Sequence, residues 1–445
     1  MQRVDTLILG GGLTGLSGAY HLDRQATSTG EARLGDWLLV ERDARLGGLT
    51  RTEVVHGYHF DHTGHWLHLR YPEIKQFVAD VMGDQMLRVA RKSRIWSHGV
   101  LTQFPFQQNL YGLPLEVVHE CVQAAIEASL AEARGEQPPV RNFAEFCLQR
   151  FGKGITSRFM VPYNTKLWGC APEEITADWC ARFLPKPNLS QIVAGALGIV
   201  DETAGYNANF LYPRQGGIET FAKAIAAHLP ADKVRLNTVP VRIDLAAKTA
   251  DLSDGSTVGF RRILSSVPLP DLYALLTNVP DALRQRVGQL RCTSLRYMNY
   301  GIARPAVLDD IQWLYVPEPR YPFYRIGSFS NAVASLAPAG KSSLYVEVAA
   351  NCADSDDDVK AQVRQFLRDQ GWLDSDDAIE VQDVRHIRYG YVVFDQHYFG
   401  ARADLLGHLE RQGLASRGRY GGWVYSSMED AMWEGYQFAL AAGFE

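Results

Sequence analysis

The sequence predicts an α/β protein: a doubly wound, Rossmann-like nucleotide domain with an inserted helical domain and an antiparallel β-sheet on the substrate side. Three observations predict it. An apolar run near the start ends in a Gly-x-Gly-x-x-Gly turn, a long Ala- and Glu-rich stretch free of Gly and Pro follows, and β-rich runs with a hairpin signal fill much of the second half. The 445 residues allow two or three domains at roughly 150 residues each. With 45 Lys+Arg against 50 Asp+Glu, a net charge of −5 and no basic run, the chain is not an electrostatic nucleic-acid binder. No apolar run approaches the roughly 18 residues of a membrane span, Ile192–Val200 being among the longest. Strand character already at Thr6 leaves no room for a signal peptide, so a cytoplasmic protein is expected.

Taken in order, Val4–Leu9 is an apolar strand that runs into Gly10-Gly11-Gly12-Leu13-Thr14-Gly15. A helix-like stretch follows from Leu16 to Leu22, and a second strand, Trp37–Val40, ends in Glu41. Strand, glycine turn, helix, strand and acid together make a dinucleotide site. Gly10 serves the tight turn, Gly12 the close approach of backbone to a pyrophosphate, Gly15 the packing of the helix, and Glu41 faces a ribose. Glu41 falls 26 residues after Gly15, later than usual, and the polar Thr27–Gly35 stretch reads as a surface loop insertion. Leu115–Arg134 is a helix by composition, and Asn142–Phe151 continues the helical character. From about Leu236 to Val267, strands alternate around an Asp254-Gly255 hairpin signal. Residues 293–350 hold further β-rich runs, Asp354–Asp358 opens a helix to Asp369, and Met428–Ala442 is a helical tail.

Cysteines at 121, 147, 170, 180, 292 and 352 form no Cys-x-x-Cys pair and no zinc spacing, so neither disulfides nor a metal site is expected. Cys180 reads as core packing. His56, His59, His62, His65 and His68 recur every three residues, but Asp61 is the only acid among them and the segment reads as strand and turn, which argues against a metal.

The segment after the second strand separates flavin from nicotinamide. Glu41-Arg42-Asp43-Ala44-Arg45-Leu46-Gly47-Gly48 places an acid and then a second glycine pair. In the flavoproteins that include the amine oxidases, such a pair lies over the FAD pyrophosphate; a plain turn after a strand is the alternative. Ser416-Arg417-Gly418-Arg419-Tyr420-Gly421-Gly422-Trp423 is a second glycine-rich turn, either a loose loop or a return to the nucleotide domain that brings Arg419 and the Gly418 backbone to the cofactor.

Several further segments share one resemblance. These are Gly57–His65, Phe104-Pro105-Phe106-Gln107-Gln108-Asn109, Phe159–Trp168, Tyr206–Phe210, Trp313–Glu318, Pro322–Arg325 and Arg417–Trp423. In this order they resemble the UDP-galactopyranose mutase family, its eukaryotic-type branch in particular, within the FAD-binding amine oxidase/protoporphyrinogen oxidase-like superfamily. The resemblance spans nearly the whole chain. It implies conversion of UDP-galactopyranose to UDP-galactofuranose or a related nucleotide-hexose interconversion. In that reaction N5 of reduced FAD attacks the anomeric carbon with no net redox change, and NAD(P)H or another donor keeps the flavin reduced. It also implies a role in cell-surface polysaccharide biosynthesis, a nucleotide-sugar partner, and compatibility with a homo-oligomer.

A leaving diphosphate calls for planar, permanently charged guanidinium groups and for tyrosine hydroxyls. The resemblance puts Arg182 and Arg325 at the two diphosphate-clamping positions, with Tyr315, Tyr391 and Tyr425 as phosphate-binding tyrosines. Asn164 and Asn207 match sugar- or phosphate-contacting asparagines, Phe104, Gln107 and Phe159 belong to the nucleotide pocket, and His65 neighbours the flavin. The plain alternatives are a solvated surface charge for either arginine, core packing for any of the 20 tyrosines, and polar turns for the asparagines. The implied architecture joins residues 1–75, 211–285 and 405–445 into the FAD-binding domain. Residues 76–190 would be mainly helical, and residues 191–210 with 286–404 would form the antiparallel substrate domain, the active site lying in the cleft.

The departures are specific. Thr63 stands where the family has glycine, Phe104 replaces a tyrosine, Tyr391-Val392-Val393 lacks prolines, and Glu429 replaces an amide residue and brings a negative charge toward the cofactor. The chain is also shorter than eukaryotic-type members. These changes cluster at the substrate end and leave the base and the hexose open. An FAD oxidoreductase of the amine oxidase or protoporphyrinogen oxidase kind is the alternative reading, since a fold does not fix a function.

Overall fold

A computed structural model of the chain describes residues 1–180, 184, 186–199 and 208–444. The first of two seven-stranded sheets carries the nucleotide turn. Its strands are β1 (Gln2–Leu9), β2 (Trp37–Val40), β9 (Val234–Arg235), β10 (Pro240–Asp244), β11 (Thr249–Leu252), β12 (Thr257–Ser265) and β18 (Leu414–Ser416). β1 lies between β12 and β2, parallel to both, and β18 adds in parallel to the end of β12. All four residues of β2 are buried, the two-sided burial that makes a parallel strand an unbroken apolar run. The Asp254-Gly255 hairpin joins β11 to β12, and Asp254 Oδ1 accepts the Ser256 N–H at 2.9 Å.

The late spacing of Glu41 comes partly from the expected loop, now residues 30–36, and partly from a longer helix. Helix α1 runs Leu13–Thr29, nearly two turns beyond Leu22. Ser28 and Thr29 hydroxyls bond back to the Gln25 carbonyl at 3.1 and 2.8 Å, so the polar residues stay helical. Gly30 then ends the helix at φ 75°, and a short turn, Ala32–Gly35, leads into β2. The C-terminal helix Met428–Phe444 lies along α1, where the Ser17 hydroxyl donates to the Met432 carbonyl at 2.7 Å.

The second sheet runs β17 (Ile379–Ile387), β13 (Leu295–Ile302), β16 (Ser342–Val348), β15 (Phe323–Ser328), β14 (Trp313–Tyr315), β6 (Ser93–Ser97) and β7 (Val100–Gln103). It is antiparallel apart from the β14–β6 pair. Two antiparallel two-stranded sheets stand beside these: the hairpin of β3 (Thr52–Val55) with β4 (Tyr58–Asp61), and the long-range pair of β5 (Met86–Ala90) with β8 (Asn209–Pro213). Residues 86–103, expected within a mainly helical stretch, are therefore strands. The sequence hid β6 because four of its five residues are buried, which erases the polar–apolar alternation of a half-exposed strand.

Among the further helices, α2 (Pro72–Met82), α3 (Leu115–Ala133), α4 (Phe143–Ile155) and α5 (Val161–Trp168) precede or flank the second sheet's residues. Asn142 caps α4 by accepting the Glu145 N–H at 2.9 Å. A π-helical turn, Thr156–Met160, joins α4 to α5 and shifts the register just before the residues that face the second sheet. Cys121, Cys147 and Cys180 are fully buried in the core, the packing role expected of Cys180.

His21 of α1 makes the nucleotide half sensitive to acid. Its ring lies 5.1 Å from Tyr20, 4.8 Å from Phe77 of α2 and 4.8 Å from Tyr436 of the C-terminal helix. Burial pushes it down to about 4, helped by Arg24 and opposed by Asp80. The folded chain therefore binds fewer protons at this site than the unfolded chain between pH 6.5 and about 4, and stability is lost as pH falls through that window. Thermal unfolding of His21→Leu is expected to show a flatter decline of Tm between pH 6.5 and 4 than the parent chain. An unchanged acid limb would remove His21 from the account.

Candidate active site

At the carboxyl end of β1 the two glycine segments meet. Gly12 and Gly47 form a parallel bridge, and the Gly47 N–H donates to the Gly11 carbonyl at 2.8 Å. A Cβ on Gly15 would sit 2.0 Å from the Gly10 carbonyl oxygen, so only glycine lets the helix leave this turn. A Cβ on Gly48 would approach Gly12 Cα to 3.2 Å. Glu41 is buried beneath the turn; one carboxylate oxygen accepts the Gly11 N–H at 2.7 Å and the other the Asp43 N–H at 2.8 Å. Each oxygen keeps acceptor capacity for a hydroxyl. No side chain caps the start of α1, whose first N–H groups form an anion-binding end. Gly418 joins the same place at φ 79°, where a Cβ would meet Thr14 Oγ1 at 2.4 Å. Gly10, Gly12, Gly15, Glu41, Gly47, Gly48 and Gly418 thus form one cradle. Its fixed N–H groups, close backbone and single acid suit a dinucleotide with a pyrophosphate.

Arg419 is engaged by protein groups. It donates to the Ser426 and Gly390 carbonyls at 2.8 and 3.0 Å and lies over the rings of Tyr391 (5.3 Å) and Tyr425 (4.9 Å). His65 occupies the loop after β4. Its Nδ1 lies 3.4 Å from the Thr63 carbonyl, and burial, with lesser repulsion from His62 and Arg419, pushes it down to about 4, so the ring is neutral near pH 7. Thr63 takes φ 66°, a conformation that a β-branched residue adopts only under strain, and one that a glycine would adopt freely.

The second sheet supplies the cationic and phenolic side. Arg325 on β15 donates from Nε and Nη2 to one oxygen of Glu347 on β16, at 3.1 and 2.7 Å, and from Nη2 to the Tyr391 hydroxyl at 2.8 Å. The Tyr324 hydroxyl donates to the same Glu347 oxygen at 2.5 Å. Glu347 is 1% exposed, so a buried carboxylate fixes the arginine, and Nη1 carries none of these bonds. Tyr391 stacks on Tyr425 at 5.9 Å, and Trp168 meets both rings edge-on. The missing prolines at Val392 and Val393 therefore do not displace Tyr391 from Arg325.

An aromatic series leads away from this cluster. Tyr163 of α5 contacts Tyr324 (5.8 Å) and Tyr315 (5.5 Å) edge-on and stacks on Phe159 at 5.3 Å, which stacks on Phe106 at 5.0 Å. Tyr315 stacks on Phe104 at 4.9 Å, and its hydroxyl accepts from Trp313 Nε1 at 2.8 Å and Arg91 Nη2 at 3.3 Å. The Arg91 guanidinium lies 4.6 Å from both the Phe104 and Trp313 rings. The face that Phe104 keeps is thus used, although it lacks a hydroxyl.

The structure brings Arg325, Tyr391, Tyr425, Tyr315, Phe104 and Phe159 into one connected wall. Gln107 is buried at the base of its segment. Asn164 is not turned to an open face: its amide donates to the Met160 carbonyl of the π-helical turn at 2.7 Å and accepts from Trp168 Nε1 of its own helix at 3.2 Å. Arg182 and Asn207 lie outside the described residues. Glu429 is 1% exposed and accepts from Arg70 Nε at 3.0 Å and from the Arg70 and Tyr71 N–H groups, so its charge is matched locally. Sequence reasoning missed Glu347, Tyr163, Arg91 and Lys166. A signal existed for Glu347, a lone acid in the otherwise uncharged run Ser342–Val348. Among the described residues, no helix is long and apolar enough to cross a membrane, and no group of three or more His, Cys, Asp or Glu is placed to hold a metal.

Comparison with known proteins gives a consistent frame. A family model for flavin containing amine oxidoreductase matches residues 13–431. Coproporphyrinogen III oxidases of Mycobacterium bovis and Mycobacterium tuberculosis are 30% identical over 167 residues, 35% of this chain and 35% of each relative. The match thus spans about a third of the length of these curated relatives. Among solved structures, a reduced UDP-galactopyranose mutase superposes with a TM-score of 0.90 at 26% identity, over 99% of this chain and 96% of that one. A putative protoporphyrinogen oxidase from Exiguobacterium sp. 255-15 gives 0.74 at 16% identity, over 100% and 99% of the two chains. Putrescine oxidase bound to putrescine gives 0.65 at 16% identity, also over 100% and 99%. At 16% identity the likeness is one of fold.

Proposed function

The chain belongs to the flavin containing amine oxidoreductase family, and from that premise we propose that it is a flavin-dependent nucleotide-sugar pyranose/furanose mutase, an isomerase acting on UDP-galactopyranose or a closely related nucleotide-hexose. The observation that carries the proposal is Arg325, fixed by buried Glu347 and bonded to Tyr391 beside the Tyr425 stack. A planar cation among phenol hydroxyls suits a diphosphate; it would also serve a substrate carboxylate but has no use against an uncharged amine or polycycle. Similarity to a UDP-galactopyranose mutase along nearly the full length supports it.

FAD would sit with its pyrophosphate on Gly10, Gly12, Gly15, Gly47, Gly48 and Gly418 and its ribose at Glu41. When bound and reduced, it supplies a nucleophilic N5 for the anomeric carbon with no net redox change, and NAD(P)H or another donor would keep it reduced. The chain's own residues do the rest by binding and orientation. Arg325, with Arg182, neutralises the diphosphate as it leaves and holds it for return. Tyr315, Tyr391 and Tyr425 offer hydroxyls to it, while Phe104, Phe159 and Gln107 receive the base, with Asn207 on the sugar or phosphate side. Asn164 acts from behind, by orienting Trp168. Neutral His65 offers a hydrogen bond beside the flavin without adding a positive charge.

The runner-up, an FAD oxidoreductase, is favoured by the 30% identity to coproporphyrinogen III oxidases over 167 residues. One experiment separates the two. The yellow protein is reduced anaerobically with dithionite and given UDP-galactofuranose, and UDP-galactopyranose is sought by chromatography. Conversion by reduced protein alone is the expected result. Failure with UDP-galactofuranose and with a panel of other nucleotide sugars, together with oxygen uptake on a porphyrinogen or amine, would establish the oxidoreductase instead.

A further inference from the structure

Lys166 is the one cation of α5, and it is 5% exposed. Its ammonium donates to three backbone carbonyls: Val316 at 3.0 Å, Glu318 at 2.5 Å and Phe323 at 3.0 Å. An ammonium has three protons, so each has an acceptor. All three carbonyls belong to the β14–β15 hairpin, the loop between Tyr315 and Arg325. Those two residues pair directly across the hairpin, and the Val316 N–H bonds to the Tyr324 carbonyl at 2.8 Å. From the other side, the Lys166 carbonyl accepts the Ala350 N–H at 2.8 Å, just beyond the strand that carries Glu347.

The same helix presents Tyr163 to Tyr315 and Tyr324, and Trp168 to Tyr391 and Tyr425. Without Lys166, three carbonyls of the hairpin would lose their donor, and the ring contacts would be left to hold the hairpin against α5. Burial pushes the ammonium down to about 7, and the Glu318 carboxylate works the other way.

From this geometry we infer that Lys166 is a positioning residue. It clamps the β14–β15 hairpin to α5 and so sets the separation of Tyr315 and Arg325 from the aromatic face of Phe159 and Tyr163. The inference rests on the nucleotide-sugar reading for its consequence, since the clamp would then fix the distance between the diphosphate cation and the base-stacking wall. An apolar residue of similar length at position 166 would fill the space and still let the hairpin drift.

The test compares the flavin-loaded parent with Lys166→Met. Amide hydrogen exchange is followed by mass spectrometry, and binding of UDP to the oxidised protein by calorimetry. Faster exchange confined to residues 314–326, with flavin content retained and UDP affinity about tenfold weaker, is the expected result, a displaced binding group being enough for a loss of that size. Unchanged exchange in this hairpin would overturn the clamp, whatever the binding data show. Faster exchange with unchanged UDP affinity would overturn the positioning role and leave a structural one. If the parent itself binds no UDP, the nucleotide-sugar reading falls, and the exchange data still decide the clamp. Should Lys166→Met fail to fold, Lys166→Gln, which is shorter and keeps at most two donors, is read the same way: faster exchange of 314–326 supports the clamp, and parental exchange overturns it.

Discussion

Arg325→Ala is expected to lower nucleotide-sugar turnover by about 100- to 1000-fold, the scale of losing one group that stabilises developing charge, while the purified protein stays yellow. The cradle proposed for the flavin is built from residues between Gly10 and Gly48 and from Gly418, and none of the bonds of Arg325 described above reaches it, which is why flavin content serves as the control. The substitution also strips Glu347 of its cation. With only the Tyr324 hydroxyl left on that oxygen, a buried carboxylate without its partner costs about 3–5 kcal/mol of stability. Arg325→Lys separates the two effects: a cation remains for Glu347, but the planar fork that can bridge a diphosphate and Tyr391 is gone. Its stability should recover more than its turnover. Turnover of Arg325→Lys restored to the parental level would mean that charge alone suffices, and full activity of Arg325→Ala would remove the diphosphate argument.

Gly15→Val is expected to abolish flavin binding, giving protein whose visible absorbance relative to that at 280 nm falls close to zero. The cause is local. A Cβ at this position meets the Gly10 carbonyl oxygen at 2.0 Å, and backbone cannot swing aside as a side-chain end does, so the turn opens and the N-terminus of α1 moves away from the phosphates. Glu41→Gln is the milder companion. It keeps one acceptor for the Gly11 N–H and loses the second, together with the charge, so flavin should bind but dissociate more readily on dilution or gel filtration. Normal flavin content in Gly15→Val would mean that the cofactor is held elsewhere.

The cradle was legible in the sequence because each of its parts is local. Apart from Gly418, which the fold brings in from the far end of the chain, a tight turn, a close approach and an acid at a strand end are demanded by backbone geometry within about 40 residues, and glycine has no substitute where a Cβ meets a carbonyl. Periodicity and composition likewise located α3, α4 and the hairpin of β11 and β12. They failed at β6, where burial on both faces left no alternation, and at Thr27–Thr29, the start of a stretch read as loop, where residues typical of loops satisfied their hydroxyls on helical carbonyls. The candidate residues of the second sheet came as separate segments, and nothing in those segments says that Arg325 and Tyr391, 66 residues apart, share a hydrogen bond.

By itself, then, the sequence determined the nucleotide turn, the class of cofactor it suits, the chemistry of its candidate side chains, and the α/β plan. Only the tertiary structure decided which side chains serve one another. Glu347 holds Arg325, Lys166 holds the hairpin between Tyr315 and Arg325, Asn164 turns inward to Trp168, and Glu429 is matched by Arg70 rather than left facing the cofactor. The physical reason is the cost of burying a charge. A buried carboxylate or ammonium must find its partners wherever the packing of distant strands and helices puts them, and that distance is a property of the fold, not of any stretch of sequence.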